Sequence, residues 1–551
     1  KSFRATAISL LIVILGAVWG IGIMGLFDFN ITILTSLVPP LIIVIGVPNC
    51  IYLINKYHQE FKKHGNQIEA IERVISKVGY IAFITNTTTA LGFAAFTLTS
   101  SENLVDFGVI SSLSIMGVFV LSLILVPIIY SFVSPPKERH LNHFDVGWLV
   151  NFLDFLDNSV ENHRKKVYLI TTIAVVAAIY GMTKIETAGN ITADFNKNNP
   201  IYKDVKYFER KFGGVVPMDI VIDTKREGGI ERLTNLRRIE QLQDSLEALP
   251  ELSRPLSIVD FVKFAKQGVL FGNPDMYSLP TRSEQQWLLT YLPRGLKDET
   301  GLAKSLVTEN GQKARISAQM ADLTTPEMRV LTDRVKKMVE EIFPGENYDV
   351  SITGASIKFI RSTTYLINNL ILSLVLAVVA ISIIMALLFM SGRMVLISLI
   401  PNLIPMLITA GIMGYAGIPL KPSTILVFSI AFGISVDDSL HFLAKYRQEL
   451  KSNGWNIKWA VKSSILETGL SMFYTSVVLF CGFSVFMTSS FAGNQSLGLL
   501  TSITLFVAML SNLILLPSFL MTMEKWVTKK DLSENIIDIY DSEVDPDESE
   551  S

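Results

Sequence analysis

Cysteine and charge are what this chain has least of. Its only cysteines, Cys50 and Cys481, lie within apolar runs, and the one large polar segment, residues 186–360, contains none. A disulfide framework is therefore excluded, and two thiols exclude a zinc site by number. Charged residues fill only 18% of 551 positions while half are hydrophobic, a balance that excludes an ordinary soluble protein. The polar segment holds no nucleophile motif and no glycine-rich phosphate loop, and its carboxylates and lysines interleave as on a wet surface. That argues against an enzyme, and no cofactor is called for.

What is abundant is apolar sequence in lengths near twenty residues, enough to carry a helix across ~30 Å of hydrocarbon. Ten such runs are read, at 5–26, 31–54, 79–99, 105–133, 167–185, 366–390, 394–417, 423–444, 469–490 and 497–522. The chain is thus a polytopic α-helical membrane protein. Its net charge of −2 hides an asymmetry, because Asp531 to Ser551 carries nine acidic and no basic residues. That stretch reads as a disordered cytoplasmic tail. The chain begins at Lys1, without Met or a signal peptide, directly before an apolar run, so an N-terminal truncation is expected.

The sequence repeats itself. "GIMG" occurs at Gly22–Gly25 and at Gly411–Gly414, a spacing of 389 (411 − 22), and "NKYHQEFKKHG" (55–65) matches "AKYRQELKSNG" (444–454) at the same spacing. One residue later in register, "LGF" (91–93) faces "CGF" (481–483). Two pseudo-symmetric halves follow. The second is preceded by a helix, a polar domain and another helix that the first lacks; either six plus six spans is the parent design, or ten spans is the natural state.

Loop charge sets the orientation. Lys56, Lys62, Lys63, Arg73 and Lys77 follow one matched helix, and Lys445, Arg447, Lys451, Lys458 and Lys462 the other, so these ends are expected in the cytoplasm. Within the linker, Trp148, Leu149, Phe152, Phe155, Leu156 and Val160 recur at helical spacing, as in an interfacial helix. The expected domains are first-half spans (1–133), a cytoplasmic linker (134–166), a span (167–185), an extracytoplasmic domain (186–360), second-half spans (361–525) and the tail (526–551). The extracytoplasmic domain reads as α/β. Strands are expected at 218–224 and 349–354, a helix at 231–248, a hairpin at 304–320 turning on Asn310-Gly311, and a helix opened by Thr324, Pro326 and Glu327. The order suggests a ferredoxin-like module.

The chemistry concentrates in "GISVDDSLHF" (433–442). With Ser423 as cap and Lys445 as the cytoplasmic end, Asp437 and Asp438 lie ~10 Å inside the helix, where a charge costs at least ~2.5 kcal/mol on insertion scales. Such groups must face protein or water. Adjacent carboxylates titrate as a coupled unit, which suits a proton relay, although a purely structural hydrogen bond is the plain alternative. His441 shares their face and either shares the proton or stays silent. Thr475 and Ser476 are candidate partners, or hydroxyls bonded to their own backbone. Subtracting 389 from 437, 438 and 441 gives Pro48, Asn49 and Tyr52. Pro48 is expected to kink its helix, and Asn49 either faces the aspartates or satisfies the kink.

"FGISVDDSLHFLAKYRQE" (432–449), "NKYHQE" (55–60), "TNTTTALGF" (85–93) and "ADFNKNNPIYKDVKYFERKFGG" (193–214) resemble the resistance-nodulation-division (RND) superfamily. The likeness covers residues 1–530 and is strongest to the hydrophobe and lipid exporters: mycobacterial large membrane proteins and hopanoid transporters, related to Patched and Niemann-Pick type C proteins. The resemblance implies a porter domain outside a bacterial inner membrane. It implies export of lipids or other hydrophobic molecules driven by a proton gradient, and Asp437 and Asp438 as proton carriers in the tenth family span. Pro48 and Asn49 stand where many relatives have acid, which leaves the relay on one half. Expected partners are membrane lipids, a hydrophobic small-molecule or lipid substrate, and further copies in a dimer or trimer; nucleic acid is not expected. A sterol- or lipid-sensing receptor and an auxiliary of protein secretion are the alternatives.

Overall fold

The computed structural model describes residues 3–523 apart from 100, 134, 137–146, 187–189, 191, 193, 196, 285–304 and 390. The acidic tail and most of the linker before residue 147 lie outside the described residues. In chain order the helices and strands are α1 (Phe3–Leu26), α2 (Val38–His64), α3 (Gln67–Arg73), α4 (Gly79–Ala94), α5 (Glu102–Phe132), α6 (Gly147–Asn162), α7 (Arg164–Met182), α8 (Pro200–Phe212), β1 (Val216–Asp223), α9 (Leu233–Glu247), α10 (Ile258–Val269), β2 (Lys313–Met320), α11 (Thr325–Ile342), β3 (Asp349–Thr353), α12 (Ala355–Phe389), α13 (Gly392–Ala416), α14 (Pro422–Ser452), α15 (Ile457–Ser484), α16 (Ala492–Leu510) and α17 (Leu516–Thr522). The described residues form two compact units, one within 1–186, 366–489 and 493–551, the other within 187–365 and 490–492.

The first unit is helical. Ten helices among the described residues are long and apolar enough to cross a membrane, so the protein is a polytopic helical membrane protein. Prolines stand inside α2 (Pro48), α5 (Pro127) and α13 (Pro401, Pro405), where neighbouring helices supply the contacts that a lone helix lacks. α6 is amphipathic: Leu149, Leu156 and Val160 are buried while Trp148 and Phe155 are exposed. Lys458 and Lys462 reach its Glu161 and Asp157 at 3.7 and 3.8 Å.

The repeat extends to side-chain contacts. A Cβ on Gly92 of α4 would lie 3.3 Å from Gly433 Cα of α14, and one on Gly482 of α15 would lie 2.7 Å from Val44 of α2. Gly482 is Gly92 shifted by 390, and Gly433 is Val44 shifted by 389, so the two crossings are copies of one another. Trp455 is the residue that changes the register. It stands between Gly454 and the cap Asn456, where the first half passes directly from Gly65 to the cap Asn66, and it takes a left-handed φ of 67°. The second copy of "GIMG" packs closely, with Gly411 and Gly414 against Ala178 and Gly181 of α7.

The second unit is an antiparallel sheet of order β2-β1-β3 carrying helices. Ile220 in β1 lies opposite Ile316 in β2 and Ile352 in β3. Val216, Met218, Ile220 and Ile222 bury against Ile239, Leu242 and Leu246 of α9 and Leu331 and Val335 of α11. The first arm of the hairpin read at 304–320 is only an isolated bridge, Val307 to Ala314, and in its turn Gly311 alone, not Asn310, has a positive φ. Leu252 and Leu256 bridge the same outer edge of β2, so that edge carries short pieces instead of a continuous fourth strand. α11 opens as read: Glu327 accepts from the Thr324 N–H at 2.8 Å, and Pro326 lies in the first turn.

Candidate functional site

α14 is the most enclosed of the ten long apolar helices, with 83% of its apolar window buried. Its start corrects the expectation for Ser423. Pro422, which has no N–H to satisfy, takes the first helical place, so the cap falls on Lys421, whose N–H is accepted by Thr424 Oγ1 at 3.0 Å. Lys445 pairs with Glu449 one turn on, at 2.8 Å, and the helix runs past it to Ser452. Asp437 therefore lies fifteen residues from each end (437 − 422 and 452 − 437), or ~22 Å at 1.5 Å per residue. The carboxylates stand at the centre of the helix.

Their surroundings follow the repeat. Ser476 Oγ on α15 lies 3.5 Å from Asp438 Oδ2, a long contact. In the first half Asn49 Nδ2 donates to Asn86 Oδ1 at 2.6 Å, and Asn86 donates to Ala82 O at 2.8 Å. Asn49 is the counterpart of Asp438 and Asn86 that of Ser476 (476 − 390). One half thus holds a neutral amide pair where the other holds a carboxylate and a hydroxyl. Thr475 donates to its own helix, to Ser471 O and Met472 O, as its counterpart Thr85 does to Ala82 O. Pro48 sits buried inside α2, which runs without a break from Val38 to His64.

The halves meet at the next turn. His441 lies 4.2 Å, ring to ring, from Tyr52, its own counterpart in the repeat. Its Nε2 is 3.2 Å from Asp437 Oδ1, within ion-pair reach but without hydrogen-bond alignment. Asp437 Oδ1 and His441 Nδ1 are buried and lack a hydrogen-bond partner among the described residues.

One further turn on, a group that sequence reasoning missed closes the column. Glu467 on α15 accepts from Lys445 at 2.6 Å and from Lys56 at 3.5 Å. Lys56 and Lys445 are repeat counterparts (445 − 56 = 389), so one carboxylate bridges the two halves. A second omission is a buried polar network on another face of α14. Ser435 Oγ donates to Asn402 Oδ1 at 2.6 Å, Asn402 Nδ2 to Ser439 Oγ at 2.7 Å, and Ser439 Oγ to Asn512 Oδ1 at 2.8 Å. Asn512 lies in a π turn, Ser511–Leu515, and also donates to Ser435 O at 3.1 Å. The signal was present: Asn402 and Asn512 are amides in apolar runs. The counterpart of Asn402 in the first half is apolar, Val13 packing on Gly46 where Asn402 holds Ser435, while that of Asn512 is Ser122 (512 − 390), whose hydroxyl donates to its own helix at Phe119 O. Among the described residues no cluster of ligands fit for a metal occurs.

The comparisons with known proteins agree with this architecture. The MMPL family profile matches residues 194–537, and the Patched SSD profile, a sterol-sensing domain, matches residues 1–131. A membrane protein of Methanocaldococcus jannaschii is 22% identical over 365 residues, 65% of this chain and 90% of the relative. The helical scaffold, its internal repeat and the family match together establish that the chain belongs to the MMPL family of RND-type, Patched-like transporters, which move lipids or hydrophobic molecules or sense sterols and are not enzymes.

Proposed function

We propose that this protein exports lipids or other hydrophobic or amphiphilic molecules across or out of a bacterial inner membrane, driven by the proton-motive force. One observation carries the reading: two carboxylates at the middle of an enclosed helix, one beside an unaligned imidazole and the other opposite a distant hydroxyl, with neutral residues at the matching places of the other half. A carboxylate pair in low dielectric loads a proton and, once neutral, loses the charge that held it toward its polar neighbours. α14 is then free to shift against α2 and α4, and that shift is the step export would follow. The soluble α/β unit is the ferredoxin-like porter domain in this reading, facing the periplasm. No metal or organic cofactor enters; the proton gradient is the energy source, and partners are the cargo lipid and further copies of the chain.

The test is reconstitution with an imposed pH gradient. Asp437→Asn with Asp438→Asn is expected to insert and fold yet move no lipid, and lipid movement at the normal rate by that double variant would refute the reading. The sterol-sensing match over residues 1–131 favours a second reading, a lipid receptor without turnover. Lipid binding that is unaffected by the pH gradient, with no net transfer, would select it.

A further inference from the structure

Within the α/β unit, arginines that face carboxylates stand apart from three that line a cavity. Arg254, Arg315 and Arg334 each face a carboxylate within 3.5 Å: Asp260, Asp219 and Glu251. Arg226, Arg232 and Arg238 face none among the described residues, although they converge on one cavity of about 220 Å³. Thr234, Asn347 and Tyr348 complete its polar wall, and no acidic side chain lines it. Arg226 and Arg232 are exposed and Arg238 is half-buried there, so the cavity presents a positive field that no carboxylate in its lining offsets.

The cavity is built. Its loop is pinned to the hairpin turn, with Gly228 N donating to Asn310 O at 2.8 Å and Ile230 N to Gly311 O at 3.0 Å. Thr224 holds the same loop through Arg226 O at 3.0 Å and Gln312 O at 2.8 Å. A Cβ on Gly229 would meet Thr224 Oγ1 at 2.1 Å, so the backbone there has one course. Arg238 lies over the Tyr348 ring at 5.1 Å, and the Tyr348 hydroxyl donates to buried Asn235 at 2.6 Å, which fixes the guanidinium. α9 starts at this cavity with Arg232 in the cap position and no side chain capping it, so its first-turn N–H groups add to the positive field.

We propose that this cavity binds a tetrahedral oxyanion, a phosphate or sulfate, carried free or as the headgroup of an anionic amphiphile. Planar, forked donors and a hydroxyl-bearing wall match that geometry, whereas a carboxylate-poor cavity of this size offers nothing to a cation. The inference goes beyond the proton-driven reading and depends only on the α/β unit, so either can fail alone.

The experiment is calorimetric titration of the full chain in phosphatidylcholine nanodiscs at constant ionic strength. One arm uses inorganic phosphate, the other soluble dihexanoyl phosphatidic acid. Binding of both with equal affinity supports a free anion, and tighter binding of phosphatidic acid supports a headgroup. Arg226→Gln with Arg232→Gln and Arg238→Gln is expected to weaken binding at least about tenfold, and Arg238→Lys to retain part of it. Arg237→Gln, on the same helix but outside the cavity, should leave it unchanged. Absence of binding in both arms, or equal binding by the triple variant, overturns the proposal.

Discussion

Glu467→Gln isolates the bridge between the halves. The change keeps volume and an acceptor oxygen but removes the charge that two lysines share. At an effective dielectric near 20, attractions across 2.6 and 3.5 Å are about 6 and 5 kcal/mol before desolvation is subtracted. Losing one partner of a buried pair costs ~3–5 kcal/mol, and exposed pairs contribute ~0–1. The side chains here are 12% (Lys445), 21% (Lys56) and 33% (Glu467) exposed, which places the expected loss at about 2 kcal/mol. It should not be shared equally: Lys445 keeps Glu449 at 2.8 Å, while Lys56 has no other ion pair among the described residues. Equilibrium unfolding in mixed micelles measures the loss, and a cycle with Lys56→Met should give a coupling of about 1–2 kcal/mol. A Glu467→Gln protein within about 0.5 kcal/mol of the parent, or a coupling of zero, would show that the bridge does not join the halves.

Asn402→Ala should cost about 2–4 kcal/mol in the same assay, since Ser435, Ser439 and Asn512 all lose a partner at a fully buried site. Asn49→Leu breaks only the amide pair with Asn86 and is expected to lower stability by about 1 kcal/mol while leaving proton coupling intact. The Thr324 backbone N–H, then its hydroxyl, hold the Glu327 carboxyl below its usual 4.5, so this stabilisation is full above 4.5 and fades as pH falls through the lower folded value. Glu327→Gln should therefore speed hydrogen exchange in the first turn of α11 at neutral pH and make no difference at pH low enough to protonate the glutamate.

The spans, the repeat and the placing of Asp437 and Asp438 within a long apolar helix could be read from sequence because each rests on local pattern: run length, matched segments and charge in apolar surroundings. The bridge at Glu467 could not. A lone glutamate eleven residues into α15 looks like a helix-end charge, and only the packing of α15 on both α2 and α14 brings the two lysines to it. Ser423 misled because capping propensity ignores Pro422, which claims the helix start. The hairpin before β2 misled differently: the turn chemistry at Gly311 was legible, but the strand leading into it pairs at one bridge only, since Leu252 and Leu256 occupy the rest of that edge. Counterpart pairing was read for Asn49 and Asp438; that of Asn86 and Ser476 was equally legible from the one-residue shift at "LGF" and "CGF", and the structure places that shift at Trp455.

The most direct measurement is proton entry into proteoliposomes, read by an entrapped pH dye while a lipid cargo is supplied. The parent protein and Asn49→Leu should admit protons in step with cargo, and Asp438→Asn should fall to the rate of protein-free leak. Cargo-dependent proton entry that persists in the Asp437→Asn, Asp438→Asn protein would contradict the account.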